Sequence, residues 1–265
     1  MSPIRLAIAG GTGRMGRALI RLAGGDPAFR VVAAVTLADD PRRGQDAGLV
    51  AGIERLEVAL GTEVTGPCDT LIEFTTPAGC RAWADWCAAR GVPLVSGTTG
   101  LEESDQARLR AAAERVPVVW APNMSTGVNL MLGLVADLAA KLDTTWDVEI
   151  CETHHRGKAD APSGTARALL EAVCAARRQR PEEVAVHGRS GLTGARPAGQ
   201  VGMHALRMGA IVGEHQVHFT SDAESLTLRH RAFSRDAFAA GALRAARWLQ
   251  GRIPGLYCMR DVLFT

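Results

Sequence analysis

Along its first half the chain alternates short apolar runs with longer stretches whose apolar residues recur every three or four positions. The runs at 4–9, 31–35, 70–74, 94–96 and 118–121 have the length and composition of strands buried on both faces. Between them, 17–23, 81–90 and 103–115 carry helical spacing, and Gly91 supplies a stop after the second. Such alternation predicts a parallel, doubly wound sheet, in which ligands sit beyond the carboxyl ends of the strands.

The pattern changes after about Leu142. Segments 146–151, 183–187, 199–206, 211–220 and 225–232 read as strands, with one helix at 166–178 between the first two. This predicts an α+β region with an open mixed sheet, mostly antiparallel. A flat face on such a sheet needs cover, so a homo-oligomer is expected. A final amphipathic helix is expected at 237–250.

Composition narrows the class. The chain has 265 residues, enough for one large or two modest domains, and 47% hydrophobic content argues against disorder. Its net charge of +2 and 5% aromatic content give no basis for nucleic-acid binding, which needs a basic face with stacking rings. Cysteines at 68, 80, 87, 151, 174 and 258 form no Cys-x-x-Cys pair, which fits idle thiols in a reducing compartment. The glycine-rich motif begins too early to leave room for a signal peptide. The most apolar helix, 128–142, is interrupted by Asp137 and too short for a bilayer. A cytoplasmic protein without membrane partners is expected.

Two motifs carry chemistry. The first strand runs into Gly10-Gly11-Thr12-Gly13-Arg14-Met15-Gly16, which satisfies Gly-x-Gly-x-x-Gly between a strand and a helix. Glycines there allow a tight turn, close approach of a pyrophosphate and packing of the helix on the strand, so dinucleotide binding is expected. Further strand ends fall at Phe74-Thr75, Gly97-Thr98-Thr99 and Ala121-Pro122-Asn123-Met124, making one cofactor edge. The second motif is Glu152-Thr-His154-His155-Arg-Gly-Lys158, followed by Ser163-Gly164-Thr165 at the start of a helix. A helix N-terminus favours an anion, and His154, His155 and Lys158 can move protons beside it. That combination predicts a small carboxylate substrate and a proton-coupled reaction. A metal site at His154-His155 is not expected, because adjacent side chains diverge and no third ligand is suitably spaced.

Over essentially its full length the chain resembles the 4-hydroxy-tetrahydrodipicolinate reductase (dihydrodipicolinate reductase) family. The matching stretches are 7–16, 97–100, 123–129, 152–166, 211–215 and 259–263, and the block from His154 to Thr165 is the most specific. The resemblance implies an N-terminal Rossmann domain (1–125, completed by 236–265) and an inserted substrate-binding and oligomerisation domain (126–235), assembled as a tetramer through its sheet. It implies a nicotinamide-dependent reduction of a small cyclic dicarboxylate after loss of water, in lysine and diaminopimelate biosynthesis. Carried across, His154 acts as acid/base or orienter, Lys158 as proton donor, and His155 as a substrate contact. Ser163, Gly164 and Thr165 contribute to the carboxylate site. Another reductase of a small carboxylate or imine would keep the glycine loop but not the whole His154–Thr165 block, and a non-catalytic sensor would lose the proton donor.

One position departs from the family. An acidic residue commonly meets the adenosine ribose about twenty residues beyond the glycine motif. Here Thr36 stands there, with Arg42 and Arg43 further along. The missing carboxylate and the nearby guanidinium groups predict that NADPH is modestly favoured over NADH.

Overall fold

The computed structural model describes residues 2–264. The chain divides into two compact units, Met1–Thr126 with Arg235–Thr265, and Gly127–Ser234.

The first unit is built on a seven-stranded sheet in which every pairing is parallel. Its strands are β1 (Ile4–Ala9), β2 (Phe29–Val35), β3 (Leu60–Gly61), β4 (Thr70–Glu73), β5 (Leu94–Ser96), β6 (Pro117–Trp120) and β12 (Gly255–Tyr257). Their spatial order, β12-β6-β5-β4-β1-β2-β3, places the reversal of winding between β1 and β4. Ligands of open α/β sheets bind outside such a switch point. Strands β1 and β4 are buried throughout or nearly so, as parallel strands covered on both faces require.

Helices α1 (Arg14–Gly24) and α3 (Pro77–Arg90) open directly after strand-end loops. The Thr76 hydroxyl accepts the Gly79 N–H, and Pro77 presets the first turn of α3. Gly91 then ends α3 in the left-handed conformation at φ 67°. On β2's side lie α2 (Ala47–Ala51), capped by Asp46, and β3. On the other side are α4 (Glu103–Ala113) and the strands β5 and β6. The returning segment, α8 (Asp236–Trp248), β12 and α9 (Met259–Phe264), packs into the same core as β1 and α1. The α8 backbone comes so close that a Cβ on Gly241 would lie 1.7 Å from the Met124 carbonyl oxygen. Elements α2, β3, β12 and α9 lie outside the sequence expectations. They span so few residues that no period develops in the pattern.

The second unit has a five-stranded sheet ordered β11-β10-β7-β9-β8. Its strands are β7 (Asp147–His154), β8 (Ala185–His187), β9 (Val201–Arg207), β10 (Gly213–Thr220) and β11 (Ser225–Ala232). The sheet is mixed. The β7–β10 and β10–β11 pairs are antiparallel and the β7–β9 and β8–β9 pairs parallel, so the expected antiparallel majority gives way to an even division. One face packs on α5 (Thr126–Lys141) and α6 (Gly164–Arg177) through Val148, Ile150, Val201, Val217 and Phe219. The expected strand at 183–187 is shortened, because Pro181 at the first helical position starts the single turn α7 (Pro181–Val184). Among the described residues no helix is long and apolar enough to cross a membrane.

Candidate active site

The glycine loop between β1 and α1 has no room for side chains at its key positions. Gly10 adopts φ +77°, and a Cβ on it would lie 2.9 Å from the Phe74 carbonyl oxygen. A Cβ on Gly16 would lie 2.1 Å from the Gly10 carbonyl oxygen, so α1 presses on the loop. Gly13 caps α1 with extended geometry and no side-chain cap, and no acidic residue stands in the first turn. The α1 amide donors are thus exposed to whatever anion lies at this end. Arg14 is exposed, Met15 half-buried, and Gly11 donates to the Val35 carbonyl at 2.8 Å.

The structure brings the β4 and β5 ends against this loop. The Phe74 ring covers Gly97 so closely that a Cβ there would lie 2.0 Å from it. Glu73 was not foreseen, and it organises these ends. Its carboxyl is fully buried and accepts the Thr75 N–H at 3.0 Å, the Thr75 hydroxyl at 2.7 Å and the Thr98 hydroxyl at 2.8 Å, with the Ser96 hydroxyl also bonded. Trp120 Nε1 donates to the Thr98 carbonyl at 3.1 Å. From the β6 end, the Ala121 N–H reaches the Ser96 carbonyl, Pro122 is exposed and Asn123 half-buried. Thr99 is exposed. Met124 is buried in the core.

At the β2 end, the Thr36 hydroxyl donates to Asp40 Oδ2 at 2.9 Å. Asp40 also takes Arg42 in a two-point pair, Nε to Oδ1 and Nη2 to Oδ2, each at 2.9 Å. Arg42 Nη1 donates to the Thr12 carbonyl at 3.1 Å, which ties the guanidinium to the glycine loop. The Arg42 pair, followed by the hydroxyl and backbone donors around it, holds the Asp40 carboxyl well below the ordinary range. Arg43 is exposed.

In the second unit the predicted cluster gathers where β7 meets α6. His154 ends β7 and is buried, and its Nδ1 lies 2.5 Å from Glu152 Oε2. Residues two apart on a strand share a face, and this pair does so. His155 is half-buried and starts a turn in which its carbonyl accepts the Lys158 N–H at 3.1 Å. Lys158 Nζ is 2.8 Å from Asp160 Oδ1. Ser163 is the N-cap of α6. Its hydroxyl accepts the Ala166 N–H at 3.1 Å and lies 3.1 Å from His215 Nε2. The Ser163 hydroxyl is thereby committed to the cap and to His215, whereas Gly164 is exposed and Thr165 half-buried in the first turn.

Arg207 and His215 complete the cluster, and neither was foreseen as a site residue. Arg207 forks onto both Glu152 oxygens at 2.8 and 2.9 Å. Burial opposes ionisation of Glu152, but Arg207, His154 and the Ser163 N–H outweigh it and hold the carboxyl below its ordinary range. Burial pushes the His154 imidazole down, against the opposing pull of Glu152. His215 is 4% exposed and stands edge-on to His154, with centroids 5.2 Å apart. Burial, joined by the neighbouring His154 and His230, carries it down to about 3. Among the described residues no group of three or more metal-ligating side chains converges.

Comparison with known proteins accounts for both units. Residues 4–124 match the family model "Dihydrodipicolinate reductase, N-terminus", and residues 127–263 match "Dihydrodipicolinate reductase, C-terminus". The chain is 47% identical to a 4-hydroxy-tetrahydrodipicolinate reductase of Thiobacillus denitrificans, over 98% of each chain. A protein of the same name from Rubrobacter xylanophilus matches equally, at 47% over 98% of each. Among solved structures, the dipicolinate-bound dihydrodipicolinate reductase from Paenisporosarcina sp. TG-14 aligns with TM-score 0.77 and 27% identity, over 97% of each chain. With both halves matched in order and near-complete coverage of its relatives, the chain belongs to the dihydrodipicolinate reductase family.

Proposed function

We propose that this protein reduces 4-hydroxy-tetrahydrodipicolinate, through dihydrodipicolinate, to tetrahydrodipicolinate with NADPH or NADH, in lysine and diaminopimelate biosynthesis. The observation that carries this reading is the cluster at the β7–α6 junction, where a carboxylate-held His154 and the Lys158 turn adjoin a capped helix N-terminus. The family relatives bear the name of that activity. The structure from Paenisporosarcina, by its description, binds dipicolinate, a planar dicarboxylate of the same size class.

The first unit is proposed as the nicotinamide-binding domain. The exposed, uncapped N-terminus of α1 at Gly13, with Gly10 and Gly16 letting β4 and α1 close tightly on the loop, fits a pyrophosphate lying at the α1 N-terminus. Gly10 to Met15 would hold it, with Thr36 and Arg42 at the ribose end and Phe74, Thr75, Gly97 to Thr99 and Ala121 to Met124 along the strand ends. The bound dinucleotide supplies the hydride. NADPH is modestly favoured, because Thr36 offers no carboxylate against a 2′-phosphate while Arg42 stands beside the glycine loop, its charge tempered by Asp40.

In the second unit, the Gly164 and Thr165 N–H groups and the Thr165 hydroxyl receive one substrate carboxylate, and His155 donates to the substrate. Lys158 supplies the proton that quenches the negative charge left by hydride addition, and His154 works beside it. The β11 strand presents exposed positions, including Arg229 and Arg231 paired with Glu214 of β10, and this sheet is proposed to join a cytoplasmic homotetramer.

The test is absorbance of the reduced nicotinamide, followed with substrate generated by a synthase from pyruvate and aspartate semialdehyde. Substrate-dependent oxidation is expected with both cofactors. No such oxidation with either would overturn the reading.

A further inference from the structure

The Glu152 carboxylate is filled by donors. Oε1 accepts the Ser163 N–H at 3.0 Å and Arg207 Nη2 at 2.9 Å. Oε2 accepts Arg207 Nη1 at 2.8 Å and meets His154 Nδ1 at 2.5 Å. An arginine fork and a backbone amide have only protons to give, and they select the ionised carboxylate. That carboxylate has no proton to donate, so the short contact to Nδ1 requires an N–H on the imidazole side. The lone pair of a neutral His154 is then on Nε2.

The surroundings disfavour a positive His154. Burial opposes the charge most, Lys158 and Arg207 add to it, His215 faces the ring edge-on, and Glu152 alone favours the charge. On the Nε2 side, Gly213 of β10 leaves the necessary space, since a Cβ there would lie 3.1 Å from Nε2. Glu152 is itself fixed from three directions. It is on β7, Arg207 comes from the β9 position paired with His154, and Ser163 comes from the start of α6.

Resting on the proposed reductase reading, we propose that Glu152 is a positioning residue that locks His154 as the Nδ1–H tautomer, so that His154 enters turnover as a proton acceptor at Nε2 and Lys158 is the proton donor. A carboxylate behind an imidazole fixes its ring orientation and strengthens it as a base at the far nitrogen. The two neighbouring groups of the motif thus divide the labour. Arg207 balances the buried carboxylate and keeps it ionised when His154 is neutral.

The test reads the tautomer directly, without substrate. Protein labelled with ¹⁵N-histidine is examined near pH 7.5 by long-range ¹H–¹⁵N correlation, with His154→Asn identifying the ring. The expected wild-type pattern is a protonated, pyrrole-type Nδ1 and an unprotonated, pyridine-type Nε2. In Glu152→Gln the carbonyl oxygen is claimed by the Ser163 N–H and Arg207, the amide N–H group turns to His154 Nδ1, the Nδ1–H preference is lost, and kcat falls about 10²-fold or more. The dissociation constant of reduced cofactor, titrated by its fluorescence, stays unchanged. An Nε2–H or doubly protonated ring in the wild type overturns the proposal, even if the variant does not fold. A folded variant with wild-type kcat overturns it as well. Absence of substrate-dependent turnover in the wild type would instead count against the reductase reading and leave the tautomer result standing.

Discussion

The hydroxyls of Thr12 and Thr36 lie 2.8 Å apart, joining the glycine loop to the end of β2. Both hydroxyls turn to Asp40, whose carboxylate takes the Thr36 hydroxyl at 2.9 Å and is also stabilised by a side-chain hydrogen bond from Thr12. The position at which a ribose carboxylate is common in this fold thus holds a hydroxyl relay beside a carboxylate four residues on. Asp40, already claimed by Arg42, makes an electrically balanced pair beside the adenosine end of the proposed cofactor site.

Cofactor preference should respond to either partner in this relay. Thr36→Glu adds a ribose acceptor and a repulsion towards 2′-phosphate, and is expected to shift preference towards NADH by roughly 1–2 kcal/mol. Asp40→Asn releases Arg42 and is expected to shift it towards NADPH by a similar amount. The ratio of kcat/KM for the two cofactors measures both. Shifts of the opposite sign would place the 2′-phosphate elsewhere.

Gly13 and Gly16 should fail in different ways. A Cβ on Gly13 meets only the Gly10 carbonyl, at 3.2 Å, so Gly13→Val is expected to fold and to lose cofactor affinity. Gly16→Val drives a side chain into the Gly10 and Gly11 backbone and is expected to lower Tm sharply. Thermal melts together with cofactor fluorescence titration separate the two. A folded Gly13→Val protein with unchanged affinity would remove this loop from the binding site.

Lys158 should matter to the chemical step. General acid catalysis is worth on the order of 10²–10⁴-fold, and Lys158→Ala is expected to lower kcat by that range. If Lys158 only attracted the dicarboxylate, KM would rise and kcat would hold. Steady-state kinetics on the folded variant decide between these.

Acid should weaken the second unit through His215. Its folded value near 3 lies below the ordinary 6.5, so the unfolded chain binds the extra proton first. The stability held above pH 6.5 is lost as pH falls from there towards 3, and the depressed His154 adds the same sign. Urea unfolding across this range should show a shallower pH slope in His215→Gln than in the wild type. An identical slope would mean that His215 is not the source.

Much of this was legible in the sequence. The β1 run and glycine loop, the strand ends and the His154–Thr165 block are local patterns, and the structure places them where their periodicities indicate. What escaped depends on register or turn geometry. Arg207 reaches Glu152 because β9 pairs in parallel with β7 so that Arg207 lies opposite His154, and one sequence does not state a register. The Asp40–Arg42 pair depends on the conformation of an irregular loop. Glu152 was within reach, since a two-residue spacing on a strand puts it on the face of His154. Ser163 has another lesson, because its cap and its His215 contact use a hydroxyl that motif matching assigns to substrate.

The returning segment has a consequence for how the molecule is made. Ala239, Ala242, Leu243, Ala245 and Ala246 of α8, with Met259 and Val262 of α9, fill the same core as Leu6, Ile8 and Leu19. On the ribosome, the strands of the first unit emerge early but lack this filling until α8 and α9 are made. The second unit, Gly127–Ser234, already has its own core complete by then. The unit that contains the glycine loop is therefore the last to reach its final packing, and a nascent chain halted near Ser234 would expose the apolar surface that α8 covers.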